Sequence, residues 1–511
     1  MLIRLRARQS GIMSEVAGIK SSLRFLSGNW AFGAVLVAGL VLRVITILGF
    51  PPAIWFAGDS ITYVNTALTH VPSISRQTGY SLFLLLLEPL HSFAVVTALQ
   101  HLMGLAMGVM IYALLRRHGL PRWGAALASA PILLDAYEIQ LEQEMLPDVL
   151  FAVLVVAAIT LLGWWKREER PAWAAPAATA LLGFAAVCWP VGLPLLVIAV
   201  VVLIFKRAGW RAVTAGIVAG AVPLVTYLAW YDRAHNRIAF NNSSGVFLWA
   251  RTMTFADCAV IKPPPDERPL CPDQPLAHRM SASLWIWQLN SPILRMPQSR
   301  FSPETNALAG NFARRAILAQ PLDYANAVLD SFALTFTWNR PAHPNLGLSR
   351  RYQFGLAWND WDHGKRAIQN VLVQREYTGG QLAKTHLVHP WSTFTIAYQK
   401  VMYLRGTMVG ILLLLGLGAV VRSWLAGGYR RRRDFGGPAL LPFLTGLAIL
   451  LVPPVTADFS LRYVVPAIPA ITLAAALLFL RPHAAAEETA VPPAADDDDE
   501  RVSTGPLPAQ T

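Results

Sequence analysis

The stretch WAFGAVLVAGLVLRVITILGF, residues Trp30–Phe50, decides the class of fold. It is apolar except for Arg43, and a helix of about twenty such residues is long enough to cross a bilayer. The run is too long for the apolar region of a signal peptide, and no small-residue cleavage site follows it. Basic residues precede it at Arg4, Arg6, Arg8, Lys20 and Arg24. The sequence therefore predicts a signal anchor that is also the first membrane span, with Arg43 snorkelling from its outer half.

The composition extends this interpretation to the whole chain. Of the 511 residues, 54% are hydrophobic and 14% are charged, whereas soluble domains average roughly 45–50% and 25%. The mean hydropathy of +0.42 agrees. A net charge of +13 would suggest a nucleic-acid partner in a soluble protein, but here the arginines are better explained as topology signals. We expect a mainly α, polytopic membrane protein that binds no nucleic acid.

About ten apolar segments are candidates for membrane-spanning helices. They cover residues 30–50, 91–115, 122–137, 146–165, 172–188, 190–206, 211–230, 400–424, 437–456 and 462–481. A further apolar segment, YSLFLLLLEPL at residues 80–90, is only about half as long as a membrane span. We expect it to be re-entrant or to lie in the membrane interface.

Lys and Arg alternate between the connections of these segments. Basic residues cluster in the connections at 116–122, 166–170, 206–211 and 422–433. The connections at 135–146, 189 and 456–461 are almost free of them. Positive loops remain in the cytoplasm, so both termini are predicted to be cytoplasmic and the second group of connections to lie outside the plasma membrane.

This topology divides the chain into five predicted parts. They are a cytoplasmic N-terminus (1–29), a transmembrane core (30–230) with a first outer loop (51–90) and an acidic outer turn (135–148), a mixed extracytoplasmic loop domain (231–399), C-terminal transmembrane helices (400–481) and a disordered cytoplasmic tail (482–511). The loop domain contains Cys258 and Cys271 in a polar, proline-rich segment. In an oxidising compartment we expect them to form a disulfide.

The first outer loop presents a carboxylate close to the end of the first span. In FAGDSITYVNTALTH, residues Phe56–His70, Gly58 permits a sharp turn and the following residues can start a helix. Asp59 and Tyr63 then share one helix face. Asp59 either caps this helix or takes part in a site.

The acidic outer turn strengthens the second alternative. DAYEIQLEQEMLPD, residues 135–148, has five carboxylates and no Lys or Arg, and its i,i+4 pairs of like charge are unfavourable without a compensating group. Asp148 follows Pro147 and suits a helix start. The others need water, a divalent cation or arginines from elsewhere. Arg76 and Arg462 lie on the same predicted side, and Arg462 is either an interface anchor or a ligand for a lipid-linked phosphate.

These motifs together resemble the GT-C superfamily of membrane glycosyltransferases. This superfamily includes protein O-mannosyltransferases, the lipid A aminoarabinose transferase and mycobacterial arabinofuranosyltransferases. The resemblance rests on the GDSxxY context of Asp59, on TGYSLFLLLL, on EQEMLPDVLF at the head of a span and on RYVVPAIP in the last span. It covers roughly the N-terminal 230 residues and the last span, and it points to a bacterial member.

The resemblance implies a site and an activity. Asp59 is then the catalytic base, and Glu144, Asp148, Arg462 and Tyr463 match family positions. Together with Tyr63, Tyr80 and Arg76, which lie on the same predicted side, they are the residues expected to bind substrate. The implied reaction moves a sugar from a polyprenyl-phosphate donor to an extracytoplasmic acceptor hydroxyl, with inversion. Ser60 stands where many relatives have a second acidic residue, which leaves the need for a divalent cation open. A lipid or solute transporter and a non-catalytic membrane scaffold are the alternative functions.

Overall fold

A computed structural model describes residues 29–56, 58–166, 169–355, 365–426 and 437–480. The predictions for residues 1–28, for the basic run at 430–433 and for the tail at 482–511 lie outside these ranges.

The described part of the chain is built from helices. It contains no β-strand, and Ile54 and Glu144 form an isolated parallel bridge. Six helices in the described ranges are long and apolar enough to cross a membrane: Trp30–Gly49, Phe93–Arg117, Trp210–His235, Gly406–Leu425, Gly437–Thr456 and Leu461–Phe479. Shorter apolar helices run over Gly79–Leu90, Asp148–Gly163, Ala174–Cys188 and Gly192–Phe205. The predicted mainly α, polytopic fold is confirmed.

The third predicted span is shorter than expected. Its helix, Arg122–Leu134, has 13 residues and contains Pro131. Asp135 ends this helix and caps the next, Ala136–Gln143, by accepting hydrogen bonds from two backbone N–H groups of that helix. The apolar pattern continued to residue 137, but the cap at Asp135 turns the chain into the acidic outer turn.

Small residues allow two neighbouring helices of the bundle to approach closely. A Cβ added to Gly183 of Ala174–Cys188 would collide with the backbone oxygen of Gly220 in Trp210–His235. Lipid supplies no hydrophobic force between helices, so such contacts hold them together by van der Waals packing.

The connections between the apolar helices meet at two opposite ends of the bundle. At one end, Lys206 of a connection predicted to be basic donates over 2.7 Å to the carbonyl of Gly437, the first residue of the helix Gly437–Thr456. At the other end, the N–H of Ile54 donates to the carbonyl of Gln143 over 2.8 Å. The first outer loop and the acidic outer turn therefore share one end, which we call the acidic end.

The loop domain also lies at the acidic end. Its described residues are helices, 3-10 turns and loops, where the sequence predicted a mixed domain. Its longer helices run over Ser244–Thr252, Pro303–Ala319, Pro321–Ala333, Lys365–Tyr377 and Trp391–Tyr398. Trp249, Trp285 and Phe312 are buried in one apolar core. Cys258 and Cys271 form a disulfide beside that core.

A second part of the loop domain packs on the first outer loop. The indole of Trp55 donates to the carbonyl of Ala383 over 2.8 Å, and the hydroxyl of Thr385 donates to the carbonyl of Ala53 over 2.7 Å. The rings of Phe93 and Tyr377 stack at a centroid distance of 4.5 Å. These contacts fix the loop that carries Asp59 between the bundle and the loop domain.

Candidate functional site

Asp59 lies between two arginines at the acidic end. It begins the helix Asp59–Thr69 after Gly58, whose φ of +78° lies in the region that favours glycine. Its Oδ1 accepts from Nη1 of Arg76 over 2.5 Å, and its Oδ2 accepts from Nη1 of Arg462 over 2.9 Å. The carboxylate is therefore directed at the arginines and not back onto its own helix.

Arg462 joins Asp59 to a second carboxylate. Its Nε and Nη2 donate to the two oxygens of Asp148 over 3.1 and 3.0 Å, which is the bidentate geometry that makes such pairs strong. The ring of Phe56 lies 5.4 Å from its Cζ and that of Tyr463 lies 5.7 Å away. Asp148 and these rings hold the guanidinium so that its Nη1 remains directed at Asp59.

The exposure of the cluster shows where it opens. The side chain of Asp148 is fully buried and that of Arg462 is 7% exposed, whereas those of Arg76 and Asp59 are 18% and 23% exposed. A ligand that reaches the cluster from outside therefore meets Asp59 and Arg76 first.

The charges of the cluster cancel. Two guanidinium groups face two carboxylates, so the formal sum over Asp59, Asp148, Arg76 and Arg462 is zero. Burial raises the pKa of Asp59, but the guanidiniums of Arg76 and Arg462 lower it further, so that it lies below its ordinary value. Asp59 is therefore ionised at neutral pH in this arrangement.

Glu144 lies near this cluster in a different state. Burial raises its pKa to about 8, and the favourable charge of Arg462 offsets this only in part. Gln140 donates to its Oε1 over 2.9 Å. Its buried Oε2 has no hydrogen-bond partner among the described residues. At neutral pH the side chain is mostly a neutral carboxylic acid.

The predicted tyrosines form a layer around and beneath the charges. Tyr63 packs edge-on against Tyr80 at a centroid distance of 5.4 Å, and both are buried. The hydroxyl of Tyr80 donates to Gln100 over 2.6 Å, and the amide nitrogen of Gln100 donates to the backbone carbonyl of Glu144 over 2.8 Å. Tyr463 packs against Trp189 at 4.9 Å. The structure thus places Tyr80 in the support of the acidic outer turn.

Sequence reasoning missed a second, deeper cluster. Arg43 is 1% exposed, and its Nη2 lies 2.6 Å from Oε1 of Glu142. His101 places Nδ1 2.7 Å from the other carboxylate oxygen and Nε2 2.7 Å from Oε1 of Gln143. The prediction that Arg43 snorkels is wrong, because its partner comes from a turn 99 residues later in the chain. The surplus of carboxylates in that turn was the available signal.

Two further polar groups beside the site were also missed. The hydroxyls of Tyr352 and Ser460 are 3.0 Å apart, and the ring of Tyr352 stacks on Phe56. Tyr352 lies in the loop domain, so this domain contributes to the wall of the site. No local pattern in the sequence marked this residue.

An apolar groove lies beside the site. Its cavity of about 380 Å³ is bordered by the helices Asp59–Thr69, Gly79–Leu87, Ala174–Cys188 and Trp210–His235. The lining is largely apolar and includes Leu82, Leu85, Phe184, Val187 and Trp230. Thr66 also lines it, and because Thr66 lies seven residues after Asp59 on the same helix, the two are about 10 Å apart along the axis.

The donor set of the site does not fit a metal ion as it is arranged. Within the described ranges, no group of three or more His, Cys, Asp or Glu side chains is placed to hold one. Asp59 and Asp148 both bind the guanidinium of Arg462, and Ser60 is buried with its hydroxyl accepting from the N–H of Phe56. The positive charge between the carboxylates is therefore an arginine of this chain.

The chain has similarity to known proteins in structure and not in sequence. No protein-family model matches it, and no curated protein matches it. Among solved structures, it is similar to the Saccharomyces cerevisiae protein O-mannosyltransferase complex bound to the sugar donor. That match has 13% identity and a TM-score of 0.33 and covers 50% of this chain.

Two further similar structures cover more of the chain. The oligosaccharyltransferase AglB of Archaeoglobus fulgidus, in complex with an inhibitory peptide and a dolichol-phosphate, has 11% identity and a TM-score of 0.40 over 88% of this chain. ArnT of Cupriavidus metallidurans has 13% identity and a TM-score of 0.33 over 87%.

The matches also cover different shares of the known chains. This chain spans 38% of the mannosyltransferase chain, 50% of AglB and 76% of ArnT.

Proposed function

We propose that the chain is an integral membrane glycosyltransferase that moves a sugar from a polyprenyl-phosphate donor to an acceptor hydroxyl. One observation carries the proposal: a carboxylate lies between two arginines at the mouth of a buried charge cluster, beside an apolar groove. Transfer from a lipid-linked sugar phosphate needs a base for the acceptor, cations for the phosphate and an apolar surface for the lipid. The GT-C resemblance of the sequence supports the same reaction class.

Each part of the donor has a proposed partner. Guanidinium N–H groups donate strong, charge-assisted hydrogen bonds to phosphate oxygens, so Arg462 and Arg76 hold the phosphate through the Nη1 groups that face Asp59. The groove takes the first isoprene units of the lipid, because its largely apolar wall excludes a hydrated ligand. The sugar then lies toward Asp59, at the more exposed end of the cluster.

The proposed reaction is a single displacement at the anomeric carbon. The acceptor oxygen forms a bond to that carbon while the bond from the carbon to the phosphate oxygen breaks, and the polyprenyl phosphate leaves with the electron pair. Asp59 takes the proton of the acceptor hydroxyl, which contributes about 10²–10⁴-fold. The arginines stabilise the charge that grows on the leaving phosphate. Attack opposite to the leaving group inverts the configuration.

The sidedness of the reaction follows from the charges of the connections. The basic connections that meet at the end opposite to the site are proposed to lie in the cytoplasm. The acidic end and the loop domain then face the exterior of the plasma membrane. A donor tethered to lipid suits that compartment.

The alternative functions lack a specific observation in their favour. Transporter sites lie near the bilayer midplane on broken helices. Here Arg43 lies in the half of Trp30–Gly49 nearer the acidic end, and Asp148 and Arg462 are at the first and second positions of their helices. A scaffold would leave the buried cluster without a use.

The experiment is a transfer assay on the full chain in lipid nanodiscs. Synthetic polyprenyl-phosphate hexose, pentose and aminopentose donors carry a labelled sugar, and a cell-envelope extract supplies acceptors. We expect transfer from one donor class, and Asp59→Asn should reduce it by at least about 10²-fold while donor lipid still binds. Full activity of Asp59→Asn, or no transfer from any donor by folded wild type, contradicts the proposal.

A further inference from the structure

The carboxylate of Asp59 binds the two arginine N–H groups that the proposed donor phosphate would use. Its two oxygens face one Nη1 atom each, from Arg76 at 2.5 Å and from Arg462 at 2.9 Å. A phosphate held by both arginines would place its oxygens in the same positions. The proposed donor phosphate and Asp59 therefore compete for the same N–H groups.

We propose that the phosphate of the donor displaces Asp59 from Arg76 and Arg462, and that this displacement converts Asp59 from an ion-pair partner into a proton acceptor. The inference rests on the proposed function and adds a form of regulation to the same site: the base is engaged until the donor is bound. The donor must then bind before the acceptor is deprotonated.

The two arginines are held differently, which allows the exchange. Arg462 is anchored on its far side by the bidentate contact with buried Asp148, so it keeps its place when Asp59 leaves. Its contact with Asp148 uses Nε–H and one N–H of Nη2, and one N–H of Nη1 binds Asp59. Asp59 and Arg76 are the more exposed members, so Asp59 can move toward the open side of the cluster without displacing the buried pair of Arg462 and Asp148.

The charge count favours the exchange. The cluster is neutral in the free protein, so an added phosphate anion would meet the carboxylate of Asp59 at the Nη1 group of each arginine. Like charges at such distances repel, and the repulsion is strong at a partly buried site. Movement of Asp59 away from the arginines removes it.

The exchange also changes the basicity of Asp59. In the free protein the two arginines outweigh the effect of burial and hold its pKa below the ordinary value. Once the phosphate neutralises the arginines, burial and the new neighbouring anion both raise the pKa of Asp59. A carboxylate that is a poor base in the free protein becomes a better one only beside a bound donor.

The test is an equilibrium binding measurement that needs no turnover. The probes are farnesyl methyl phosphate, a phosphodiester with one negative charge, and farnesol, which has the same chain without the charge. The full chain in nanodiscs is titrated as wild type, Asp59→Asn, Asp59→Ala and Arg462→Gln. Asp323→Asn, an exposed carboxylate of the loop domain, serves as the control for net charge.

Removal of Asp59 is expected to raise the affinity for the phosphodiester, whereas removal of a binding residue would lower it. Loss of the competing carboxylate should make both Asp59 variants bind the phosphodiester about tenfold more tightly than wild type, with no change for farnesol. Arg462→Gln should bind it more weakly, and Asp323→Asn should match wild type. Thermal unfolding confirms that each variant is folded. Equal results for Asp59→Asn and Asp59→Ala show that the effect comes from loss of the carboxylate and not from the residue that replaces it.

Two outcomes overturn the inference and are distinguishable. If Asp59 variants bind the phosphodiester as wild type does or more weakly, while Arg462→Gln still weakens binding, the exchange is wrong and the proposed phosphate site stands. If wild type and all variants bind the phosphodiester no better than farnesol, the phosphate site itself is absent and the proposed function fails with it.

Discussion

Asp59 and Arg462 are 403 positions apart in the sequence, and their side chains meet at 2.9 Å between Oδ2 and Nη1. The contact joins the loop after the first apolar helix to the start of the last one. Asp148, from the middle of the N-terminal half, completes the cluster from a third direction. The site therefore exists only when both ends of the described chain are packed together.

The bidentate contact of Arg462 leads to the first prediction. Arg462→Lys keeps the charge but cannot bind both oxygens of Asp148 and also reach Asp59, because an ammonium is a single point charge on a flexible chain. We expect kcat/KM for donor to fall by about 10²-fold. Steady-state kinetics with the donor found in the transfer assay measure it.

An exposed pair provides the matched control. Arg295 donates to both oxygens of Asp273 in the loop domain, and both side chains are about half exposed or more. Exposed pairs contribute little, so Arg295→Lys should leave kcat/KM unchanged. If Arg462→Lys and Arg295→Lys reduce kcat/KM equally, the bidentate geometry of Arg462 has no special role.

The raised pKa of Glu144 leads to the second prediction. Its pKa of about 8 in the folded protein lies above its ordinary value near 4.5. The folded protein then keeps a proton that the unfolded chain releases, so its stability falls as pH rises from about 4.5 to 8 and levels off above that. Glu144→Gln removes this dependence, and at pH 8 its melting temperature should exceed that of wild type. At pH 7 its transfer activity should be close to wild type.

Thermal unfolding in detergent at pH 5, 6.5 and 8 measures this effect. Glu304→Gln, which changes an exposed carboxyl at the start of Pro303–Ala319, should keep the wild-type dependence on pH. A Glu144→Gln variant that loses stability at pH 8 would show that the carboxyl is ionised and paired there.

The buried cluster of Arg43 and Glu142 leads to the third prediction. Loss of one partner leaves an uncompensated buried charge, which costs about 3–5 kcal/mol. Gly104→Ala tests the same cluster without removing a charge, because its Cβ would collide with the carboxylate of Glu142. We expect Glu142→Gln and Gly104→Ala to lower the melting temperature strongly.

Gly33→Ala is the matched control for the glycine substitution. Gly33 lies in the apolar helix Trp30–Gly49, and a Cβ added there has no neighbour within 4 Å. Its replacement should be neutral or slightly stabilising, since alanine favours a helix over glycine. A Gly104→Ala variant as stable as Gly33→Ala would mean that the Glu142 cluster tolerates displacement.

The sequence predicted those features that local patterns encode. Apolar length located the helices, and the alternation of Arg and Lys matches the two ends of the bundle. Asp148 and Arg462 were recognised because each is a charged residue at the start of an apolar helix, and Asp59 was recognised by its GDSxxY context in the first outer loop. Local patterns do not show which charged residues form pairs. Arg43 and Glu142, for example, are 99 positions apart in the sequence and are brought together by tertiary packing.

The loop domain was the least predictable part for the same reason. Several of its helices have too few turns to show a period, such as Cys258–Ile261 and Leu346–Ser349 with four residues each, and 3-10 turns and loops separate the longer ones. Tyr352 reaches the site through long-range packing. Burial likewise decides the state of Glu144, and burial follows from the whole fold rather than from the neighbours in sequence.

The contact between His343 and Asp458 leads to the last prediction. Asp458 accepts from the backbone N–H of Ser283 over 2.8 Å, and Nε2 of His343 lies 2.8 Å from its other oxygen. One carboxylate before the last apolar helix therefore holds two segments of the loop domain. Burial raises the pKa of Asp458, but these hydrogen bonds and the charge of His343 lower it further. The lowered pKa means that this support is present above about pH 4 and is lost as pH falls below it.

Asp458→Asn should therefore loosen the loop domain at neutral pH, because the amide cannot accept with both of its terminal atoms. We expect limited proteolysis to cut the loop domain several-fold faster than in wild type, and wild type to approach that rate only in acid. His278→Ala, which changes an exposed histidine of the same domain, should be cut at the wild-type rate. If Asp458→Asn is as resistant as His278→Ala, the loop domain is held by its apolar contacts alone, and the carboxylate two residues before Ser460 has no part in positioning Tyr352 at the site.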